Sequence, residues 1–497
     1  VISGAVHVGL IAVMILLFGG RGVTAKPPEM VITPSLENDE DPPEHDLTKE
    51  DSGLQTDLDA TLPDITRIEK QNVEAAVTDD NIGQPNTPEM SSAALAPAGV
   101  VTNESTQGMP GTEGINIGGP GGAMGNSTGS FPGRSGAAKM EGLRVGGGND
   151  ESERAVALGL AWLARQQLED GSWQYDGASK EERIAATGMA LLPFLAAGET
   201  HLKGKKYQRT VASGLQYLLR NCPLSGPNAG RMTGNMYAHA IGTLALCEAY
   251  GMTKDKGMLQ AAAQAAINHI VKAQAANGSW GYSPRNPGDT SIVGWQLQAL
   301  KAAQLCKDIV VPNASIKKAV DFLNFAGAGS RKAMYGYADN AGAAPGTSLT
   351  AVGLLSRYYI DGWGPDNAGM AEGVTGLMKR APVKSAATPD MYFYYYATQV
   401  VHFFEGDEWK TWNEGPKGPD GVRKGGMRDW LVGLQNKNDG PNQGSYEPDP
   451  NWIGRSCGRL GTTAMSILTL EVYYRHLPLY KRAGTGDGAL KIVDGAK

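Results

Sequence analysis

The chain is poor in the groups that most enzyme chemistries advertise. Its 497 residues hold four cysteines and seven histidines. Cys222, Cys247, Cys306 and Cys457 stand singly with no CxxC pair, which supports neither a zinc ribbon nor a dithiol redox centre. Cys247 sits in an apolar stretch and reads as a small hydrophobe. Basic clusters are missing and the net charge is −6, which argues against a nucleic-acid partner. No strand-to-helix elbow anchors a Ser/His/Asp arrangement. A long apolar run occurs once, at the very start.

Repetition is what the sequence does have. "GLAWLARQQLEDGSW", from Gly159 to Trp173, is an amphipathic helix pattern stopped by Gly171. It returns as "AINHIVKAQAANGSW", with Gln274, Gly278 and Trp280 in the places of Gln167, Gly171 and Trp173. A third copy, from Met427, carries Gln435 and a longer turn to Gly444 and Tyr446. Weaker copies of the helix begin at Gly214, Ala319 and Gly373. The six copies start 52 to 55 residues apart, a period far above that of tetratricopeptide or ankyrin units.

Each copy is followed by a second helical segment, such as "MYAHAIGTLALCEAYG" or "RLGTTAMSILTLEVYY". These are apolar almost all round, whereas the first helices carry Arg, Lys, Asp and Glu; a helix apolar on every side is buried. Six amphipathic helices alternating with six buried ones predict an all-α fold, an (α/α)6 toroid with an outer and an inner ring.

The Gln followed by Gly-x-Trp after an outer helix resembles the QW motif of squalene-hopene cyclases and their relatives, the protein prenyltransferases. Residues 150–482 as a whole resemble bacterial membrane-anchored prenyltransferase/squalene-oxidase-repeat proteins. The resemblance implies a terpenoid-cyclase-like α/α toroid and leaves its chemistry open. Physically the motif explains itself: the Gln amide serves helix ends, and the Trp ring packs between adjacent outer helices.

The toroid is expected over residues 150–482, with a flexible tail from 483 to 497. Residues 21–149 run through Pro- and acid-rich into Gly-rich sequence that buries too little apolar surface to fold, which predicts a disordered linker; within it, "FPGRSGAAKMEGL" is a candidate short ordered piece. Residues 1–20, "VISGAVHVGLIAVMILLFGG", are apolar over about 18 residues, enough for one transmembrane helix. Ser3 and His7 lie four apart on one face of it. That spacing resembles the anchor of TonB-type energy transducers and implies a membrane partner, an ExbB/ExbD-like complex. The expected location is a bacterial inner membrane, single-pass, with the toroid periplasmic.

Two chemistries of such toroids leave specific marks. Class II terpene cyclases protonate an alkene with an Asp-x-Asp-Asp motif at the start of a buried helix. The best match is "NPGDTSIVGW", where Asn286 and Gly288 replace two of the acids and only Asp289 remains. Asp289 is a weak catalytic candidate and a good helix N-cap. The zinc of prenyltransferases needs Asp, Cys and His ligands; His239, Asp390 and Cys457 have the types but not the contexts, so no metal or cofactor is expected. A paired-carboxylate glycosidase would need two acids facing one cavity, and Asp289 with Asp390 is the pair to test.

One constellation points to a ligand. "DMYFYYYATQVVHFF" sets Tyr392, Tyr395, Tyr396 and His402 along a buried helix, and Tyr237, His239, Trp295 and Arg459 belong to other buried helices. Helix starts gathered at one end of a toroid would form a concave aromatic site with polar handles, from Tyr237, His239, Trp295, Asp390, Tyr392, Tyr395 and Arg459. Such rings suit a saccharide, an isoprenoid or a cation. Two functions follow: a membrane-anchored ligand-binding or scaffold module at the cell envelope, or an enzyme acting on an isoprenoid or a polysaccharide. A deep chamber with clustered acids favours the enzyme, and a centre filled by side chains favours the module.

Overall fold

The computed structural model describes residues 131–203, 206–382 and 389–475. The expected anchor at 1–20, most of the expected linker and the tail from 483 lie outside these residues, Ser3 and His7 included. No helix among the described residues is long and apolar enough to cross a membrane.

The helices in chain order are α1 (Gly136–Gly146), α2 (Asp150–Arg165), α3 (Arg183–Ala196), α4 (Gln208–Arg220), α5 (Met236–Thr253), α6 (Ala261–Ala273) and α7 (Thr290–Leu305). They continue with α8 (Asn313–Ala326), α9 (Ser348–Asp361), α10 (Ala368–Met378), α11 (Met391–Phe404), α12 (Gly406–Glu414), α13 (Met427–Leu434), α14 (Trp452–Leu470) and the single turn α15 (Val472–Arg475). Local chemistry starts them. Asn149 and Ser152 form a reciprocal capping box at α2, and Asn235, Asp289, Thr347, Asn367 and Asp390 each accept a first-turn amide of the helix that follows.

Packing closes a double ring. The buried helices α3, α5, α7, α9, α11 and α14 each lie against the next, and α14 returns to α3. The amphipathic helices α2, α4, α6, α8, α10 and α13 surround them, with α13 returning to α2. The fold is an (α/α)6 toroid. A two-stranded ribbon, Gly327–Ala328 against Met334–Tyr335, is the one sheet among the described residues.

The repeated turn fastens neighbouring outer helices. The Gln167 amide donates to the Gly171 and Thr210 carbonyls, both at 2.9 Å. Gln274 does the same to Gly278 and Ser315 at 2.9 Å, and Gln435 to Gly444 at 3.0 Å and Ala155 at 2.7 Å. Each Gln thus ties its own turn to the first turns of the next outer helix, and Gln435 ties the sixth unit to the first. One carbonyl lies in the Gln's own turn and the other near the start of the next outer helix; neither is an orphan carbonyl of a helix end. Trp173 and Trp280 are fully buried, with their indole N–H groups on Leu163 and Ile270 carbonyls at 2.7 and 2.8 Å. Gly278, at φ +87°, is held so close to α8 that a Cβ would overlap the Lys318 carbonyl.

Three features depart from the sequence reading. The fold begins before residue 150, at the short piece "FPGRSGAAKMEGL" singled out within the expected linker: Phe131 to Arg134 enter beside Gly251 and Gly198, and α1 packs on α15. This strap crosses the end of the ring where the inner helices finish. Helix α12, between the fifth and sixth units, was not expected; its Trp409 and Asn413 donate to the Gly146 carbonyl and hold α1 in place. The inner helices also carry charge. Glu248 is buried between Arg134 at 2.9 Å and Arg475 at 3.3 Å, and Lys301 is buried with its ammonium 3.4 Å from the Tyr359 carbonyl.

Candidate functional site

The axis of the ring is filled. Trp295 stacks on Tyr395 with centroids 5.7 Å apart and lies edge-on to Tyr396 at 5.8 Å. The Tyr395 hydroxyl donates to Gln298 at 3.0 Å and accepts from Arg475 at 3.1 Å. Arg475 reaches Glu248, and Glu248 reaches Arg134 of the strap. Side chains and ion pairs thus occupy the centre of the ring from Trp295 to Glu248.

The other end, where the inner helices begin, is concave and aromatic. Tyr237, second residue of α5, is the hub. Its ring centroid lies 6.2 Å from Trp295, 5.6 Å from Trp452 and 6.5 Å from Tyr282, nearly parallel to the last. Tyr392 joins from α11, 5.4 Å from Trp452 and 5.1 Å from Tyr396. The surface runs from solvent to core without a break: Trp452 is 46% and Tyr282 52% exposed, Tyr392 is 7% exposed and Trp295 fully buried. Large exposed rings are costly to leave in water unless something covers them.

Between these rings lies a cavity of about 80 Å³, lined also by Tyr175, Glu182, Asn235 and Cys457. Glu182 precedes α3, and its carboxylate accepts the Asn235 amide at 2.8 Å. The Tyr237 and Tyr392 hydroxyls and the Trp295 indole N–H are buried together, the Tyr237 hydroxyl within loose hydrogen-bonding reach of the other two. Burial, and then neighbouring Tyr392, hold the Tyr237 hydroxyl well above its usual pKa, so it stays protonated and able to donate. Burial pushes the Cys457 thiol up to about 12, leaving it an inert wall rather than a nucleophile.

The residues named from sequence divide in two. Tyr237, Trp295 and Tyr392 meet at this mouth; Tyr395 lies beneath them in the axis. His239 faces the other way, its Nε2 3.2 Å from the Ala266 carbonyl of α6 and its ring 4.8 Å from His269. Burial lowers its pKa to about 3, so it is a neutral packing residue. His402 is likewise remote, edge-on to Trp409 at 4.7 Å near the strap. Asp390 caps α11 and pairs with Arg380 at 3.1 Å, and Arg459 grips Glu447 through two bonds of 2.9 and 2.6 Å. Both are latches on the surface of the ring.

Asp289 caps α7, accepting the Ser291 and Ile292 amides at 2.8 and 3.3 Å. It also borders the mouth: burial first, then hydrogen bonding to Asp289 and Tyr282, raises the pKa of the half-exposed Tyr337. Asp289 and Asp390 therefore do not form a facing pair of free acids; each carboxylate is committed to a helix start. Among the described residues, no group of three or more His, Cys, Asp or Glu side chains is arranged to hold a metal ion.

The sequence reading missed Trp452, Tyr282, Glu182, Asn235 and Tyr175, all in turns or at first residues of helices. Two of them lie beside elements that the sequence did show. Tyr282 follows Trp280 by two residues, and Trp452 starts the short helical turn that a kink at Gly458 separates from the last inner helix.

The sequence matches no known family profile and no curated protein. Among solved structures it is similar to an α-1,6-mannanase of Salegentibacter sp. HEL1_6, an inactive variant in complex with an α-1,6-linked mannose tetramer. The identity is 9% and the TM-score 0.44, over 66% of this chain and 99% of that one. A GH76 α-mannanase of Bacteroides thetaiotaomicron gives 10% and 0.44 over 67% and 98%. A type II terpene cyclase from Scytonema gives 13% and 0.40 over 67% and 99%. Likenesses at this level give no warrant for carrying over a ligand or a reaction.

Proposed function

We propose that the mouth at the inner-helix starts is a saccharide-binding site, and that the toroid is a carbohydrate-recognition module. The observation that carries this is the unbroken aromatic surface from exposed Trp452 and Tyr282 to buried Trp295, with the Tyr237 and Tyr392 hydroxyls and the Trp295 indole N–H grouped beneath it. Sugar rings present apolar faces to stack on such side chains and hydroxyls that bond to fixed donors. An isoprenoid would instead need a deep apolar chamber, and the axis is occupied by Tyr395, Tyr396, Gln298 and Arg475.

A second reading, a polysaccharide-active enzyme, draws on one feature: Glu182 stands inside the cavity on a fixed Asn235 hydrogen bond. The anchor at residues 1–20 and an ExbB/ExbD-like partner belong to the proposal too and rest on sequence alone; with them the module would work at the cell envelope. The test is titration of a panel of neutral oligosaccharides followed by tryptophan fluorescence. Binding that is lost in Trp452→Ala, with an unchanged melting curve, supports recognition at the mouth. Release of shortened products that stops in Glu182→Gln would replace the module with the enzyme. Binding unaffected by Trp452→Ala and Tyr282→Ala would sink both. For the anchor, recovery of the chain in the soluble fraction of its host would overturn the envelope assignment.

A further inference from the structure

We infer that the substituent entering the cavity beneath the mouth is a small cation, an ammonium group carrying methyl groups or a protonated amine on a sugar. The inference rests on the binding site proposed above and adds what it selects.

Size gives the first argument. About 80 Å³ is the room of roughly two or three water molecules. A whole sugar ring does not fit; it must stay outside, against Trp452 and Tyr282. Only a compact group fits the space that Tyr237, Trp452 and Trp295 border.

Charge gives the second. The wall holds five aromatic rings, from Tyr175, Tyr237, Tyr282, Trp295 and Trp452, and one carboxylate, Glu182. No Lys or Arg among the described residues lines it. The nearby cations are engaged elsewhere: Arg183 with Asp170 at 2.7 Å, and Arg459 with Glu447 at 2.6 Å. Aromatic faces attract a cation through the ring quadrupole, most strongly when water is excluded. A carboxylate fixed by Asn235 adds a full negative charge at short range. An anion would meet repulsion, and a neutral group would leave the charge of Glu182 met only by the Asn235 amide.

The third argument is the wall's hydrogen-bonding surface. Methylated ammonium groups carry little or no N–H and need apolar walls rather than carbonyls around them, whereas a protonated sugar amine would direct its N–H groups at Glu182. Beside its rings the wall is apolar, with Met189, Ile241, Ile453 and Met465 for methyl groups to pack on.

Choline and 3,3-dimethylbutan-1-ol, equal in shape and differing in charge, test the inference on the full chain by calorimetry and tryptophan fluorescence. Choline should bind at least about tenfold more tightly than the neutral isostere. Glu182→Gln, which retains an oxygen for Asn235, should remove most of that preference without changing the affinity for the isostere. Trp452→Ala should weaken both. A deacetylated chitosan tetramer compared with its acetylated counterpart tells the source: tighter binding of the former than of choline identifies an amino sugar, and the reverse a free quaternary amine. Equal affinity for choline and the isostere, or a preference that survives Glu182→Gln, overturns the inference. If a neutral oligosaccharide binds at Trp452 while choline does not, the mouth stands and only its charge selectivity fails. If nothing tried responds to Trp452→Ala, the site itself is wrong and the inference falls with it.

Discussion

At the scale of single residues, the buried charges behave differently according to their partners. Glu248 has two guanidinium groups, and these lower its pKa against the opposing effect of burial. Lys301 has only a carbonyl, and burial lowers its pKa from 10.5 to about 8. Between those two values the unfolded chain binds the extra proton, so Lys301 makes stability rise as pH climbs from 8 to 10.5. Lys301→Met should therefore stabilise the protein at pH 7, by on the order of 2 kcal/mol, and flatten that rise. Urea unfolding at pH 7, 9 and 10.5 checks it, and a loss of stability at pH 7 would mean that the ammonium is needed where it is. Asp289 allows a second test. As a cap it should tolerate Asp289→Asn at under ~1 kcal/mol, while Asp289→Ala should cost about 0.5–2 kcal/mol; equal costs would show that its work lies with Tyr337 instead. Individual residues were the least legible part of the sequence. Tyr237 and Tyr392 could be grouped from sequence because the first residues of inner helices must lie at one end of a ring, and Trp295 lies one turn further in. His239 and Arg459 lie away from that mouth, because residue type does not say which face of a buried helix meets the cavity and which meets the outer ring.

Elements were far easier to read. The contrast between amphipathic and wholly apolar helices gave both rings, since a 3.6-residue period and its absence are direct statements of how many sides are buried. What the period could not reveal is α1, α12 and the strap, which occur once each and so make no repeat. Turns carry a different kind of information. Gly278 and Gly342 both have positive φ, +87° and +69°, but only Gly278 lies against the next outer helix. Gly342→Ala should cost about 1 kcal/mol for the left-handed backbone alone. Gly278→Ala should cost more, about 2–4 kcal/mol, since α8 must also retreat. Thermal melting of the two variants gives the comparison, and equal shifts would mean that the turn does not brace its neighbour.

For the molecule as a whole, the strap decides how much chain the fold needs. Arg134 supplies one of the two cations on Glu248, and Phe131 covers Gly251. A chain starting at residue 150 should be less stable than one starting at 131 by about 3–5 kcal/mol, the usual cost of leaving a buried charge short of its partner. Coincident urea midpoints would show the strap to be dispensable. The strap also brings the two ends of the described fold together: the Arg134 guanidinium donates to the carbonyl of Arg475 at 3.3 Å. In a ring closed by Gln435 on Ala155 as firmly as Gln167 closes on Thr210, no unit is first. The order in which the ribosome delivers the six units is then a historical accident rather than a physical requirement. A circular permutant, with 475 joined to 131 by a short linker and new termini cut at the exposed Gly226, should reach the same far-ultraviolet circular dichroism and the same urea midpoint within about 2 kcal/mol. A permutant that fails to fold would mean instead that the toroid is assembled in sequence order, each unit docking on the one made before it.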